Sequence, residues 1–153
     1  MLRALLAVML LTLLYIPAAA QDKDKGAVTT TVQHFVDSFN KGDTATAKAV
    51  CADQTAIIDE FPPYQWNGTG ACAKWMADYD TDAKKNSITD GVVNLGTPRH
   101  VDVAGNRAYV VVPADYAYKE KGKPVKETAS TLTIVLTKSG TGWRISAWTW
   151  SKS

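Results

Sequence analysis

Histidine is scarce in this chain, and His34 and His100 stand far apart with no third ligand beside either, so no metal site and no cofactor are expected. No glycine-rich phosphate loop, no nucleophile elbow and no Ser-His-Asp order occurs, which leaves nucleotide-dependent and covalent hydrolytic chemistry without residues to perform it. Neither sign of charge dominates: 17 Lys and Arg face 15 Asp and Glu, without the basic stripe that nucleic acid requires, so no nucleic-acid partner is expected. No internal repeat or low-complexity segment appears, and only two cysteines, Cys51 and Cys72, are present. Beyond the first twenty residues there is no long hydrophobic run, so no membrane contact is expected once those residues are removed.

Those first residues read as a secretory signal. Arg3 is the charged start, Leu5 to Ile16 is almost wholly apolar, and Pro17-Ala18-Ala19-Ala20 ends in the small-x-small pattern that a signal peptidase accepts, with cleavage after Ala20. The competing reading, a retained anchor, suffers from an apolar stretch shorter than the roughly 20 residues a bilayer needs. The expected compartment is therefore secreted or periplasmic. There, an even cysteine count reads as a Cys51–Cys72 disulfide, with two buried thiols as the alternative. Residues 21–26, QDKDKG, lack apolar anchors and read as a flexible tail, leaving residues 27–153 as one domain.

From Ala27 the periodicity becomes helical. Val28, Val32, Phe35, Val36 and Phe39 form one stripe, and Asn40-Lys41-Gly42 ends the helix. His34 falls on the opposite face and reads as solvated. Asp43 is placed to cap a short helix, Thr44 to Val50, with Ala47, Val50 and Cys51 on its buried side. Thr55 to Ile58 reads as a strand that Pro62-Pro63 stops. Period-2 alternation then puts Ile57, Asp59 and Phe61 on one face and Ile58 and Glu60 on the other, so Asp59 is expected inward and Glu60 at the surface.

Asn67-Gly68 reads as a turn into a third helix, about residues 70 to 85, with Cys72, Trp75, Met76, Tyr79 and Ala83 at helical spacing. The strands expected after it are 87–95, 99–103, 107–118, 125–137 and 143–150. In the last, alternation sets Trp148 and Trp150 on the face opposite Trp143, Ile145 and Ala147. Helices grouped ahead of a run of strands define an α+β fold.

The chain resembles the nuclear transport factor 2-like superfamily, which includes ketosteroid isomerases and SnoaL-like cyclases. The carriers are Phe39-Asn40-Lys41-Gly42-Asp43 at the first helix end, the segment from Cys51 to Asp59, the Asn67-Gly68 step into a helix, and Trp143-Arg144-Ile145 in the closing strand. The resemblance implies three N-terminal helices packed on a strongly curved, mostly antiparallel sheet, a cone with an internal pocket. It also implies a small apolar or aromatic ligand and, since many members dimerise through the sheet, a homodimer.

Within that resemblance Asp59 matches the general base of the isomerases, and a carboxylate among apolar groups suits such a base because burial disfavours its ionised form. The tyrosine that donates to the oxyanion there falls here on Phe35, and the second donor falls near Ala129, so steroid isomerisation is not expected. The expected chemistry, if any, is proton transfer or hydration-dehydration. Phe35, Phe61, Trp66, Trp75, Tyr79, Tyr116, Trp148 and Trp150 are the candidates to line the cone, with plain core packing as the other reading. His100 and Asp102 share a strand face, either as an acid-base pair or as solvated edge residues. A rival class is an interaction module, for which Tyr109, Tyr118 and Trp143 exposed on the outer sheet face would speak.

Overall fold

The computed structural model describes residues 18–140 and 142–153. The leader expected over residues 1–20 lies almost entirely outside the described residues. Helix α1 (Ala18–Asn40) buries Val28, Val32, Phe35 and Val36 along its stripe. It starts earlier than the periodicity indicated, so the expected tail at 21–26 is helical instead. Asp24 supplies the missing anchor, accepting a hydrogen bond from Lys138 Nζ at 2.7 Å and from Trp143 Nε1 at 3.3 Å. Gly42, with φ of 68°, turns the chain into α2 (Thr44–Val50), whose N-cap is Asp43: its Oδ1 accepts the Thr46 N–H at 3.0 Å.

Strand β1 (Cys51–Ile58) follows at once, so Cys51 opens the strand rather than ending the helix. A loop carries the chain into antiparallel β2 (Gln65–Thr69), with Ile57 opposite Trp66 and Ala56 opposite Asn67. The turn expected at Asn67-Gly68 is therefore strand; the reversals occur in the Pro62-Pro63 loop and at Gly70, φ 73°, which caps α3 (Ala71–Asn86). A Cys51–Cys72 disulfide ties β1 to the first turn of α3. No helix among the described residues is long and apolar enough to cross a membrane.

The remaining strands are β3 (Ile88–Leu95), β4 (His100–Ala104), β5 (Arg107–Glu120), β6 (Lys123–Ser139) and β7 (Gly142–Ser151). The sheet runs β2-β1-β7-β6-β5-β3 with β4 also on β5, and every pairing is antiparallel except β1 with β7. The three helices pack on this curled sheet to give an α+β cone.

Two bulges determine which side chains enter the cone. In β7 the register slips between Leu136↔Ile145 and Val135↔Ala147. Trp143, Ile145 and Trp148 are consequently all buried, which corrects the alternation that had separated Trp143 and Ile145 from Trp148. In β6 the four residues Glu127 to Ser130 span what three residues span on β5, from Tyr116 back to Ala114. Ala129 takes the left-handed conformation there, φ 60°, and its N–H donates to Asp115 Oδ1 at 3.2 Å. Leu132, Ile134 and Leu136 alternate inward, but beyond the bulge the inward residue is Glu127.

Candidate functional site

A cavity of about 120 Å³ lies between the C-terminal half of α1, the β1–β2 loop, α3 and the inner face of the sheet. Seven of the eight expected aromatics border it: Phe35 from α1, Phe61 from the loop, Trp75 and Tyr79 from α3, and Tyr116, Trp148 and Trp150 from the sheet. Trp66 does not border it. Its ring packs against Phe61 with centroids 5.0 Å apart and its Nε1 donates to Asp78 Oδ2 at 2.7 Å, so it backs the wall from behind. Within the wall, Trp75 meets Trp148 edge-on at 4.8 Å and Phe39 meets Tyr79 edge-on at 5.0 Å, geometries that suit the aromatic quadrupole and hold the rings in place.

Asp59 borders the cavity from the loop, one residue past the end of β1. Trp75 Nε1 donates to its Oδ2 at 2.7 Å, and the Glu60 backbone N–H donates to its Oδ1 at 2.7 Å. Its partners are N–H groups and not a cation. Burial pushes the Asp59 carboxyl above the usual carboxylate range; the Glu127 charge adds to the rise and the two hydrogen bonds oppose it.

Glu60 is exposed, as alternation indicated, but its side chain is partly covered and also borders the same cavity, because the strand has ended and the loop carries it there. Burial raises its carboxyl above the usual range, the neighbouring Glu127 raises it further, and Lys152, 3.2 Å away, pulls the other way. Glu127 holds Lys152 Nζ at 2.7 Å and accepts from the Tyr118 hydroxyl at 3.3 Å, both through Oε1. That contact with Glu127 chiefly raises Lys152 above the ordinary lysine value. The buried Oε2 of Glu127 and the indole N–H groups of Trp148 and Trp150 have no hydrogen-bond partner among the described residues.

The hydroxyls of Tyr79 and Tyr116 hydrogen-bond each other at the wall, and burial raises both phenols above their ordinary value. Gly91 sits in a β3 irregularity beside them, where an added Cβ would lie 2.6 Å from the Tyr116 hydroxyl and 3.0 Å from that of Tyr79. Glu60, Tyr118, Glu127 and Lys152 were missed by reasoning from sequence. Only the small polar run Thr128-Ala129-Ser130, which interrupts the apolar alternation of β6, hinted at the bulge that brings Glu127 inward.

Phe35 borders the cavity without a hydroxyl to offer, and Ala129 is engaged in the bulge. His100 and Asp102 are exposed on β4, and His34 is exposed on α1. Of the aromatics that the interaction reading needed on the outer sheet, Tyr109 is 43% exposed. Trp143 is buried beside Asp24, and Tyr118 borders the cavity. Among the described residues no group of three or more His, Cys, Asp and Glu could hold a metal ion.

A family model for the SnoaL-like domain matches residues 28–152, and the chain belongs to that family. In structure it is similar to an NTF2-like superfamily protein from Salmonella enterica, at 18% identity and a TM-score of 0.72, over 86% of this chain and 92% of that one. It is also similar to an NTF2-like protein with a cystatin-like fold from Novosphingobium aromaticivorans, at 12% identity and a TM-score of 0.71, over 88% and 85% of the two chains. A ketosteroid isomerase-like protein from Erwinia carotovora atroseptica is similar at 17% identity and a TM-score of 0.66, over 86% and 97%. At these identities the likeness is one of fold. No curated protein sequence matches the chain.

Proposed function

We propose that this protein binds a small, ring-sized apolar or aromatic molecule in the cavity and moves a proton on it through Asp59, in an isomerisation or a hydration-dehydration. The observation that carries the reading is a buried carboxyl bordering an aromatic cavity, held by Trp75 and by the Glu60 backbone, with its ionised form disfavoured by burial. Such a carboxylate takes a proton from a carbon or a hydroxyl at near-neutral pH and returns it at a second position. The hydrogen-bonded Tyr79 and Tyr116 hydroxyls are the donors nearest in kind to those absent at Phe35 and Ala129, and would stabilise charge developing on a ligand oxygen. An apolar cavity of about 150 Å³ takes up benzene. At about 120 Å³ this one suits a single ring, which argues against a steroid.

Two measurements test the reading. In a ¹³C titration the Asp59 carboxyl is expected to ionise above the ordinary carboxylate range. In D₂O, the protein is expected to catalyse deuterium exchange beside the carbonyl of at least one member of a panel of ring-sized ketones, and Asp59→Asn to lose about 10²-fold or more of that rate. An Asp59 that titrates as an ordinary carboxyl, or exchange unchanged in the variant, overturns it.

A second reading concerns assembly. Register places Ile58, Thr149, Thr133, Val111 and Tyr109 on the outer sheet face, bordered by His100 and Asp102 of β4, and Ile58 there is 55% exposed. We propose that a second copy of the chain covers it. Light scattering on the eluting protein is expected to give twice the chain mass, and Thr133→Lys to halve it; a wild-type monomer overturns this. The disulfide fits an extracytoplasmic protein, and we propose that the chain is exported by its leader and cut after Ala20, which N-terminal sequencing of the exported protein tests.

A further inference from the structure

The cavity holds more acid than a single proton transfer needs. Asp59, Glu60, Asp82 and Glu127 all border it, while no lysine, arginine or histidine does among the described residues. Lys152 pairs with Glu60 and Glu127 but is not itself part of the wall. Glu127 is only 9% exposed; its Oε1 holds Lys152 and Tyr118, while its enclosed Oε2 has no donor among the described residues. A buried carboxylate oxygen without a donor is costly, and a cation relieves it more than a neutral donor does. On the same cavity stand the rings of Phe35, Phe39, Trp75 and Tyr79, whose faces carry the negative lobe of the aromatic quadrupole.

We propose that the occupant of the cavity is a small organic ammonium ion, an amine or quaternary ammonium on a ring-sized apolar body, with its charge set between Glu127 and the aromatic rings. The proposal rests on the reading of the cavity as a ligand site given above, and specifies what that site takes. The unpartnered indole N–H groups of Trp148 and Trp150 are satisfied by a neutral oxygen on the same molecule. A carboxylate or phosphate reaching for them would bring its own charge beside Asp59, Glu60 and Glu127.

The test uses the folded protein with benzylammonium chloride and benzyl alcohol, a pair alike in ring and length that differs in charge, titrated at one ionic strength and followed by tryptophan fluorescence and calorimetry. Benzylammonium is expected to bind at least about tenfold more tightly. Glu127→Gln is expected to reduce that preference to within about threefold while benzyl alcohol still binds. Equal affinities, or tighter binding of the alcohol, overturn the ammonium inference and leave the cavity reading in place; no binding by either probe overturns both. A measurement independent of the variant uses the unmodified protein. There, tetramethylammonium is expected to displace benzylammonium, and sodium at equal ionic strength to leave it bound. Displacement by sodium to the same extent overturns the inference.

Discussion

Val28, Ala47, Val110, Leu136 and Ile145 meet where α1 and α2 cover one end of the long strands, and each of these aliphatic side chains is fully buried. At the other end of the same strands Tyr116, Glu127, Leu132 and Trp150 surround a cavity, and three buried polar atoms there lack a partner among the described residues. One sheet thus ends in two environments. The filled end gains stability from close packing of groups that need no hydrogen bonds, while the hollow end keeps polar groups under-satisfied, as a site that waits for a ligand must.

Breaking the filled end is expected to have the largest effect. Ile145→Ala leaves a cavity that tightly packed neighbours cannot collapse into, and should cost about 4 kcal/mol in urea denaturation. Next comes reduction of Cys51–Cys72, which spans 21 residues and joins the segment carrying Asp59 to α3; loss of its loop-closure constraint should cost about 3 kcal/mol, read from denaturation with and without reductant.

A third test separates the two ends by sign. Because the folded carboxyl of Asp59 lies above its unfolded value, the folded state binds more proton than the unfolded chain between the two. Stability from this residue therefore falls as pH rises from about 3.9, the ordinary carboxyl value, through the folded value. Asp59→Asn should melt higher than wild type at pH 7 and lose that advantage below about pH 3, in thermal melts across pH. A truncation at the filled end only destabilises, at every pH. The smallest effect belongs to Ala129→Gly, which relieves a left-handed alanine at a cost in unfolded-chain entropy and should stabilise by about 1 kcal/mol or less. Its benzyl alcohol affinity should match that of wild type, since the bulge and Glu127 stay in place.

Much of the fold was legible because it depends on near neighbours in sequence. The stripe from Val28 to Phe39, the Asp43 cap and the Leu132-Ile134-Leu136 alternation each express a local period or a local hydrogen bond. The same logic failed wherever the chain departed from its period. Trp143 and Ile145 were assigned the wrong face because β7 slips by one residue, and alternation set Glu60 at the surface, where it is, without showing that the loop after Ile58 also brings it to the cavity. Asn67-Gly68 has turn chemistry, yet pairing with Thr55 and Ala56 holds it in a strand. Trp66 has the size and polarity of a cavity residue, but Asp78 holds its indole behind the wall.

The sequence by itself determined the α+β order, the helix stripes, the two cysteines and the candidacy of Asp59, since composition and short-range spacing suffice for these. Only the tertiary structure decided that Asp59 is backed by Trp75, that Glu60 and Glu127 join it, and that Lys152 reaches them from the far end of the chain. The reason is physical. A bulge of one residue in β6 reverses which side chains face inward, and its place depends on strands paired across the sheet.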